Sequence, residues 1–328
     1  MKILITGSLG FVGSHLAKRY HAQGHNVVGI DNGVGGYDDN LTEVQTLRID
    51  CCDQGSVDQL FAREQFDLVI HAACTAYEGL SVVSPVLVTR NTFDATVNVL
   101  SASIKHKIKR FVYMSSMARY GKQEPPFTED KQPRPEDPYG IAKYAVECDL
   151  KLANQQFGLR YNIIRPHNVL GIYQNIWDRY RNVIGIFIRR TLNGEPLLIY
   201  GDGEQTRAFS DIKYYMEPFD KLLNGFDGET FNIGADKYFT LNEVAKTVQS
   251  IGKKYGYDVD IEHGEPRHEV KHAYCDHTKA KNVLGFKDNT NLDELIEEMF
   301  VWSMKQPNRK IKDMDYEITK DMYDYWKK

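Results

Sequence analysis

The feature that most restricts this chain is a rhythm. Over residues 1–165, short apolar runs alternate with longer segments of helical periodicity. "KILIT" (Lys2 to Thr6) is a buried-strand run, "FVGSHLAKRYHAQG" reads as a helix stopped by Gly24, and "HNVVGID" as a second strand. The alternation continues through "VQTLRID", "SVDQLFAREQ", "FDLVIHAA", "PVLVTRNTFDATVNVLSASIKH" and "IKRFVYMSS". A Pro-rich loop over 121–138 then leads to a helix from Tyr139 and the strand "LRYNIIRP". Strands separated by long helices pair in parallel through right-handed crossovers. The expected fold is therefore α/β, a Rossmann-type doubly wound parallel sheet with its ligand crevice at the carboxyl ends of the strands.

The second half is less regular. A helix is expected over 176–193, then the strand and Gly-rich turn "PLLIYGDGEQ", then helices near 213–224, 240–255 and 291–305. No repeat or low-complexity linker separates the halves. Residues 1–165, rejoined by about 205–235, are assigned to the doubly wound domain, and 166–204 with 236–305 to a smaller C-terminal α/β substrate lobe. The charged, aromatic tail at 306–328 either docks as a helix or frays.

Composition rules out no partner, but it favours neither nucleic acid nor a membrane. The balance of 41 basic against 45 acidic residues, a net charge of −4, gives no support to nucleic-acid or anionic-membrane binding. No apolar run reaches membrane-spanning length, and "MKILITGSLGFVG" is broken by glycines, so a cytoplasmic location is expected. Five cysteines, with Cys51 and Cys52 adjacent, form no CxxC pair or His/Cys cluster along the chain. That suits a reducing compartment and argues against structural zinc; no metal site is expected.

Gly7, Gly10 and Gly13 form G-x-x-G-x-x-G between the first strand and the first helix. Glycines there let the backbone turn tightly and approach a pyrophosphate seated on the helix N-terminus. Asp31 ends the next strand, where a carboxylate accepts hydrogen bonds from ribose hydroxyls and repels a 2′-phosphate. No Arg follows Asp31 at once, so NAD is expected rather than NADP. The alternative for Asp31 is a turn residue in "DNGVGG".

Ser115 and Ser116 end the strand "RFVYMSS", at the same rim as the glycine loop. Tyr139 and Lys143, four apart on the following helix, leave one face of it. A phenol with pKa near ~10 is a poor base at neutral pH. A neighbouring ammonium, with a nicotinium charge beside it, would favour the phenolate.

With these residues in place, the sequence closely resembles the extended short-chain dehydrogenase/reductase superfamily, and within it the nucleotide-sugar epimerases and dehydratases. The resemblance rests on "TGSLGFVGSHL", Asp31, "HAA", Asn91, "SSMARYG", "YGIAK", "RPHNVLG", "GDGEQTRAF" and "PRHEVKHAYCDHTKAKNVLGF", spread in family order from residue 6 to 286. It implies that Tyr139 is the acid/base, that Lys143 holds the nicotinamide ribose and lowers the Tyr pKa, and that Ser116 completes the triad. It places Gly7, Gly10, Phe11, Val12, Gly13, Asp31, Asn32, Asp50, Cys51, Ala72, Ala73, Asn91, Ser115, Pro166 and His167 at the cofactor. His167 stands where relatives usually carry Phe.

The resemblance also assigns Asn168, Tyr200, Arg207, Arg267 and Ala273 to the substrate. The two arginines would clamp a diphosphate with bidentate bonds, and Tyr200 would stack on the base. Uridine and guanosine both occur among relatives, a UDP-sugar being favoured and a GDP-sugar possible. Family habit adds a homodimer through the 86–106 and 139–157 helices.

Three outcomes share one first step, oxidation at sugar C4. Dehydratases of this fold carry an acid and a base directly after the catalytic Ser/Thr, where this chain has Met117 and Ala118; 3,5-epimerases carry Cys at the position of Ala118. Both chemistries are disfavoured, and C4 epimerisation is the simplest reading. Decarboxylation of a uronate and a non-catalytic NAD-binding sensor stay open. Ala273, small where relatives are bulkier, hints at an N-acetylhexosamine. The segments "FSDIKYY" and "CTAYEGLS" follow no family pattern.

Overall fold

A computed structural model describes residues 1–178, 180, 182–266, 271–309, 314–320 and 322. In chain order the first half runs β1 (Lys2–Thr6), α1 (Phe11–Ala22), β2 (Asn26–Asp31), β3 (Thr46–Arg48), α2 (Gln54–Glu64), β4 (Leu68–His71), α3 (Glu78–Val83), α4 (Pro85–Thr89), α5 (Ala95–Lys105), β5 (Arg110–Met114), α6 (Pro138–Phe157) and β6 (Tyr161–Pro166). The second half adds β7 (Val169–Leu170), α7 (Val183–Leu192), β8 (Leu197–Tyr200), β9 (Thr206–Ala208), β10 (Ser210–Asp211), α8 (Met216–Leu222), β11 (Thr230–Ile233), β12 (Tyr238–Thr240), α9 (Leu241–Lys254), β13 (Ile261–Gly264), β14 (His272–Ala273), α10 (Thr278–Leu284) and α11 (Leu292–Met304).

Seven strands form one parallel sheet in the order β11-β6-β5-β4-β1-β2-β3. From β1 the chain winds outward to β3, then crosses to β4 and winds the other way. That reversal opens a crevice above the carboxyl ends of β1 and β4. Side chains alternate across the sheet. Ile3 and Ile5 join α1 and α8 through Leu16, Tyr20 and Phe219 on one face, while Leu4 joins α2, α5 and α6 through Phe61, Val99 and Val146 on the other. A third apolar cluster packs α7, α9 and α11 against β8 in the smaller lobe, through Phe187, Val244, Ile296 and Ile199.

Two expected helices differ in detail. The helix over 176–193 begins only at Val183, because Asn175, Asp178 and Asn182 each accept a hydrogen bond from the backbone N–H two residues on. Such side-chain turns compete with the helix ladder. The long helix over 85–106 is continuous but carries a π turn at Arg90–Asp94.

The described part of the tail neither forms a helix nor hangs free. Met314, Tyr316 and Met322 pack beside Tyr77 and Tyr139. The Glu317 carboxylate accepts from the N–H groups of Val86 and Leu87, at the start of α4.

Candidate active site

A cleft of about 1080 Å³ runs over the carboxyl ends of the strands and into the smaller lobe. Its floor is the glycine loop. Gly7 has φ +67°, and a Cβ there would lie 2.9 Å from the backbone of Ala73. A Cβ on Gly13 would come within 2.1 Å of the Gly7 carbonyl oxygen, so α1 packs against β1 only with glycine at that position. Gly10 caps α1 without a side-chain hydrogen bond. The first-turn N–H groups of α1 are thus left for an anion. Gly7, Gly10, Phe11, Val12, Gly13, Ala72 and Ala73 all line this end of the cleft.

Asp31, Asn32, Asp50 and Cys51 line the cleft at the ends of β2 and β3. The Asp31 carboxylate accepts from the N–H groups of Gly33 (2.7 Å) and Leu9 (3.1 Å). Burial pushes its pKa up, and these two donors pull it down. Each oxygen keeps a further lone pair for a ribose hydroxyl. Asn32 Nδ2 donates to Asp50 at 3.2 Å. Cys51 is buried among apolar side chains, and burial pushes its thiol up, so it is a packing residue here. One neighbour was invisible in the linear sequence: register pairs Asp31 with Arg48, whose guanidinium bonds Asp38.

A Gly-rich turn closed to side chains, an uncapped helix start and a carboxylate at the end of β2 that lines the cleft fit a dinucleotide. Asn91 extends this wall. It lies in the π turn, donates to Thr75 Oγ1 at 3.0 Å and lines the cleft. A π turn rotates the side chains beyond it, a device that recurs at functional sites.

Ser116, Tyr139 and Lys143 meet in the same cleft. Ser116 caps a 3-10 turn over Met117–Tyr120, accepting from Ala118 N–H at 3.1 Å. Asp137 caps α6 through Gly140 N–H, and Pro138 starts the helix, which fixes Tyr139 in its first turn. Lys143 is buried; its Nζ donates to the Met114 carbonyl at 2.6 Å and sits 5.7 Å from the Tyr139 ring centre.

The Tyr139 phenol is pushed well above its ordinary value by burial, with Cys74 adding to the rise and the Ser116 hydroxyl opposing it. Lys143 is held on the Met114 carbonyl, and the expected lowering of the phenol belongs to the protein with a nicotinium charge beside it.

Behind the triad lies a group the sequence reading missed. Glu147, one turn beyond Lys143 on the same face of α6, is fully buried. It receives both arms of Arg165 from β6, at 2.9 and 2.7 Å, and the Ser115 hydroxyl at 2.6 Å. Arg119, in the turn after Ser116, pairs with it at 3.3 Å. Ser115 thus lies at the cleft wall with its hydroxyl turned to Glu147.

At the far end, Pro166, Asn168, Tyr200, Arg207 and Ala273 line the cleft. Asn168 holds φ +37° and donates to the Ala208 carbonyl. Ala273 faces Arg207 in the β14–β9 register. His167 is different: its side chain is fully buried and is not among the residues lining the cleft, unlike its neighbours Pro166 and Asn168. Burial lowers its pKa to about 3, so it is neutral. Arg267 lies outside the described residues. The unassigned "CTAYEGLS" segment supplies Cys74, Thr75, Tyr77 and Glu78 to the cleft, and α7 supplies Arg189.

Comparison with known proteins agrees with this geometry. The family model described as "NAD dependent epimerase/dehydratase family" matches residues 3–234. The chain is 32% identical to a putative UDP-glucose 4-epimerase of Methanocaldococcus jannaschii, over 94% of this chain and 99% of that protein. It is 31% identical to a UDP-N-acetyl-alpha-D-glucosaminuronate decarboxylase of Bacillus cytotoxicus, over 92% of this chain and 97% of the relative. Among solved structures, the UDP-glucose 4-epimerase of Thermotoga maritima with UDP-glucose superposes with a TM-score of 0.88 at 31% identity, covering 93% and 99% of the two chains. The chain belongs to the NAD-dependent epimerase/dehydratase family, and its cofactor is NAD.

Proposed function

We propose that this protein inverts C4 of a nucleoside-diphosphate sugar, a UDP-sugar in the first instance. The observation that carries this reading is the convergence of Ser116, Tyr139 and Lys143 over the glycine-loop cleft, followed by Met117 and Ala118, which move no proton. Bound NAD supplies a place for the C4 hydride to be held and from which it returns. With the phenolate favoured by the Lys143 cation and by the nicotinium charge that bound NAD would bring, Tyr139 Oη would take the proton of the C4 hydroxyl as the ketone forms and return it after the sugar has turned. Ser116 Oγ holds that oxygen in line with the phenol. Lys143 fixes the helix face to β5 through Met114 and keeps a cation beside the phenol as it ionises.

Arg207 faces the diphosphate, with Arg267 as its expected partner, and Tyr200 faces the base. Ala273 leaves room for a 2-acetamido group. Val82, Val86, Ile141 and Leu152, each more than half exposed on or beside the helices expected at a dimer contact, support a homodimer.

The test incubates purified protein, without added cofactor, with UDP-N-acetylglucosamine, UDP-glucose, UDP-glucuronic acid and GDP-mannose, and follows the sugar signals by NMR. The C4 epimer should rise to a constant ratio. Tyr139→Phe should slow it by about 10²–10⁴-fold while retaining NAD. A 4-keto-6-deoxy product, or a pentose from the uronate, would overturn the C4 reading. Cys74 and Glu78, close to Tyr139, are the residues such an outcome would implicate.

A further inference from the structure

His167, Cys275 and His277 are far apart in the sequence or separated by charged residues, yet the fold brings their ligand atoms within 4.8 Å of one another. All three are buried, at 0%, 6% and 3% exposure. Among the described residues, neither ring nitrogen of His167 has a hydrogen-bond partner, nor has Nε2 of His277. The backbone of Ala273 approaches His167 without reaching hydrogen-bond geometry. Three bare imidazole nitrogens beside a buried thiol are not what ordinary packing leaves behind, since buried polar atoms are almost always paired.

The surroundings point the same way. His277 Nδ1 faces Asp236 Oδ1 at 3.4 Å, and Lys281 holds the other carboxylate oxygen at 2.6 Å. A carboxylate on one ring nitrogen fixes the proton there and presents the other nitrogen's lone pair, the arrangement that orients metal-bound histidines. Gly234 gives the cluster its clearance: a Cβ there would lie 3.0 Å from His277 Nε2 and 2.6 Å from His167 Cβ.

We propose that His167, Cys275 and His277 form a zinc site behind the wall of the sugar cleft, with a water at the fourth position. Two imidazoles and a thiolate are the donors zinc takes, and a tetrahedral ion holds such atoms roughly 3.3–3.6 Å apart, which rotamer adjustment can reach from here. The site bridges the two halves of the molecule. His167 follows β6 of the sheet, whereas Cys275 and His277 lie between β14 and α10. Pro166, Asn168 and Ala273, each next to or near a ligand in the chain, line the cleft. The ion would pin this part of the wall and take no part in the proton transfers at Tyr139.

The experiment uses the untagged full chain, incubated with zinc, passed through gel filtration and measured for metal content. It is repeated after cobalt(II) replacement, with absorption spectra and melting curves. The expected result is one zinc per chain, a thiolate-to-cobalt charge-transfer band with the visible bands of a tetrahedral site, and a melting temperature raised by zinc. Cys275→Ser should lose the charge-transfer band, and His167→Phe should lose the metal while melting cooperatively. Wild-type protein that keeps well under one metal per chain, or binds cobalt without the charge-transfer band, overturns the proposal even if both variants misfold. So does undiminished zinc in a folded Cys275→Ser variant.

Discussion

At the scale of single residues, the cleft depends on a carboxylate that never touches it. Glu147 fastens α6 to β6 through Arg165 and to the turn after Ser116 through Arg119, so one buried side chain holds the mutual placement of Ser116, Tyr139 and Lys143. Glu147→Gln would leave two buried guanidinium groups facing a neutral amide. Removing one partner of a buried pair typically costs about 3–5 kcal/mol, and a loss of that order in urea denaturation is expected. A variant as stable as the wild type would contradict the role. The pair Tyr139 and Lys143 was legible in the sequence because helical spacing alone puts both on one face. Glu147 sits at the next step of the same spacing, but its meaning depends on Arg165 and Arg119, which only the folded sheet brings near. The same holds for His167, whose full burial no local signal in "RPHN" announces.

At the scale of elements, the β2–β3 register sets the cofactor's adenosine end. On the proposed placement of NAD, Asp31 would exclude a 2′-phosphate by charge, while Arg48 stands opposite it in the ladder, tied to Asp38. Asp31→Asn should remove the repulsion and leave the guanidinium available. The ratio of NADP to NAD affinity should rise by at least about tenfold, ~1.4 kcal/mol, in a binding titration. An unchanged ratio would show that Arg48 never reaches the nucleotide. The strands and the glycine loop were readable because apolar runs and glycine spacing are local signals. Arg48 was not, because sequence adjacency says nothing about cross-strand neighbours. The late start of α7 had a local signal, the Asn175, Asp178 and Asn182 side chains, which compete with the backbone for its own N–H groups. The π turn at Arg90–Asp94 had none.

At the scale of the molecule, one histidine ties the sheet to its covering helix. His71 bridges Thr6 on β1 and Thr96 on α5, at 2.9 Å on each side, and burial lowers its pKa to about 3. In the unfolded chain its pKa returns to about 6.5. Between those values the unfolded state binds the extra proton, so stability is complete above about pH 6.5 and declines as the pH falls toward 3. The decline should reach about 2 kcal/mol between pH 6.5 and 5, and be absent from a folded His71→Gln variant. A pH-independent wild type over that interval would show that His71 is protonated in the folded protein. The strand–helix rhythm is lost after Pro166, and the short strands and helices beyond it are less legible. The contact between the lobes was not legible, since Cys275 and His277 meet His167 only across the finished fold.

The central claim is that the hydride removed at C4 is the one returned to C4, with Tyr139 moving only the hydroxyl proton. The most direct measurement supplies UDP-N-acetylglucosamine deuterated at C4, in ordinary water, and reads the isotope in the epimer by mass spectrometry and NMR. The account predicts that the product keeps deuterium at C4, with no exchange at C3 or C5. Loss of the label, or solvent hydrogen entering C3 or C5, would contradict it.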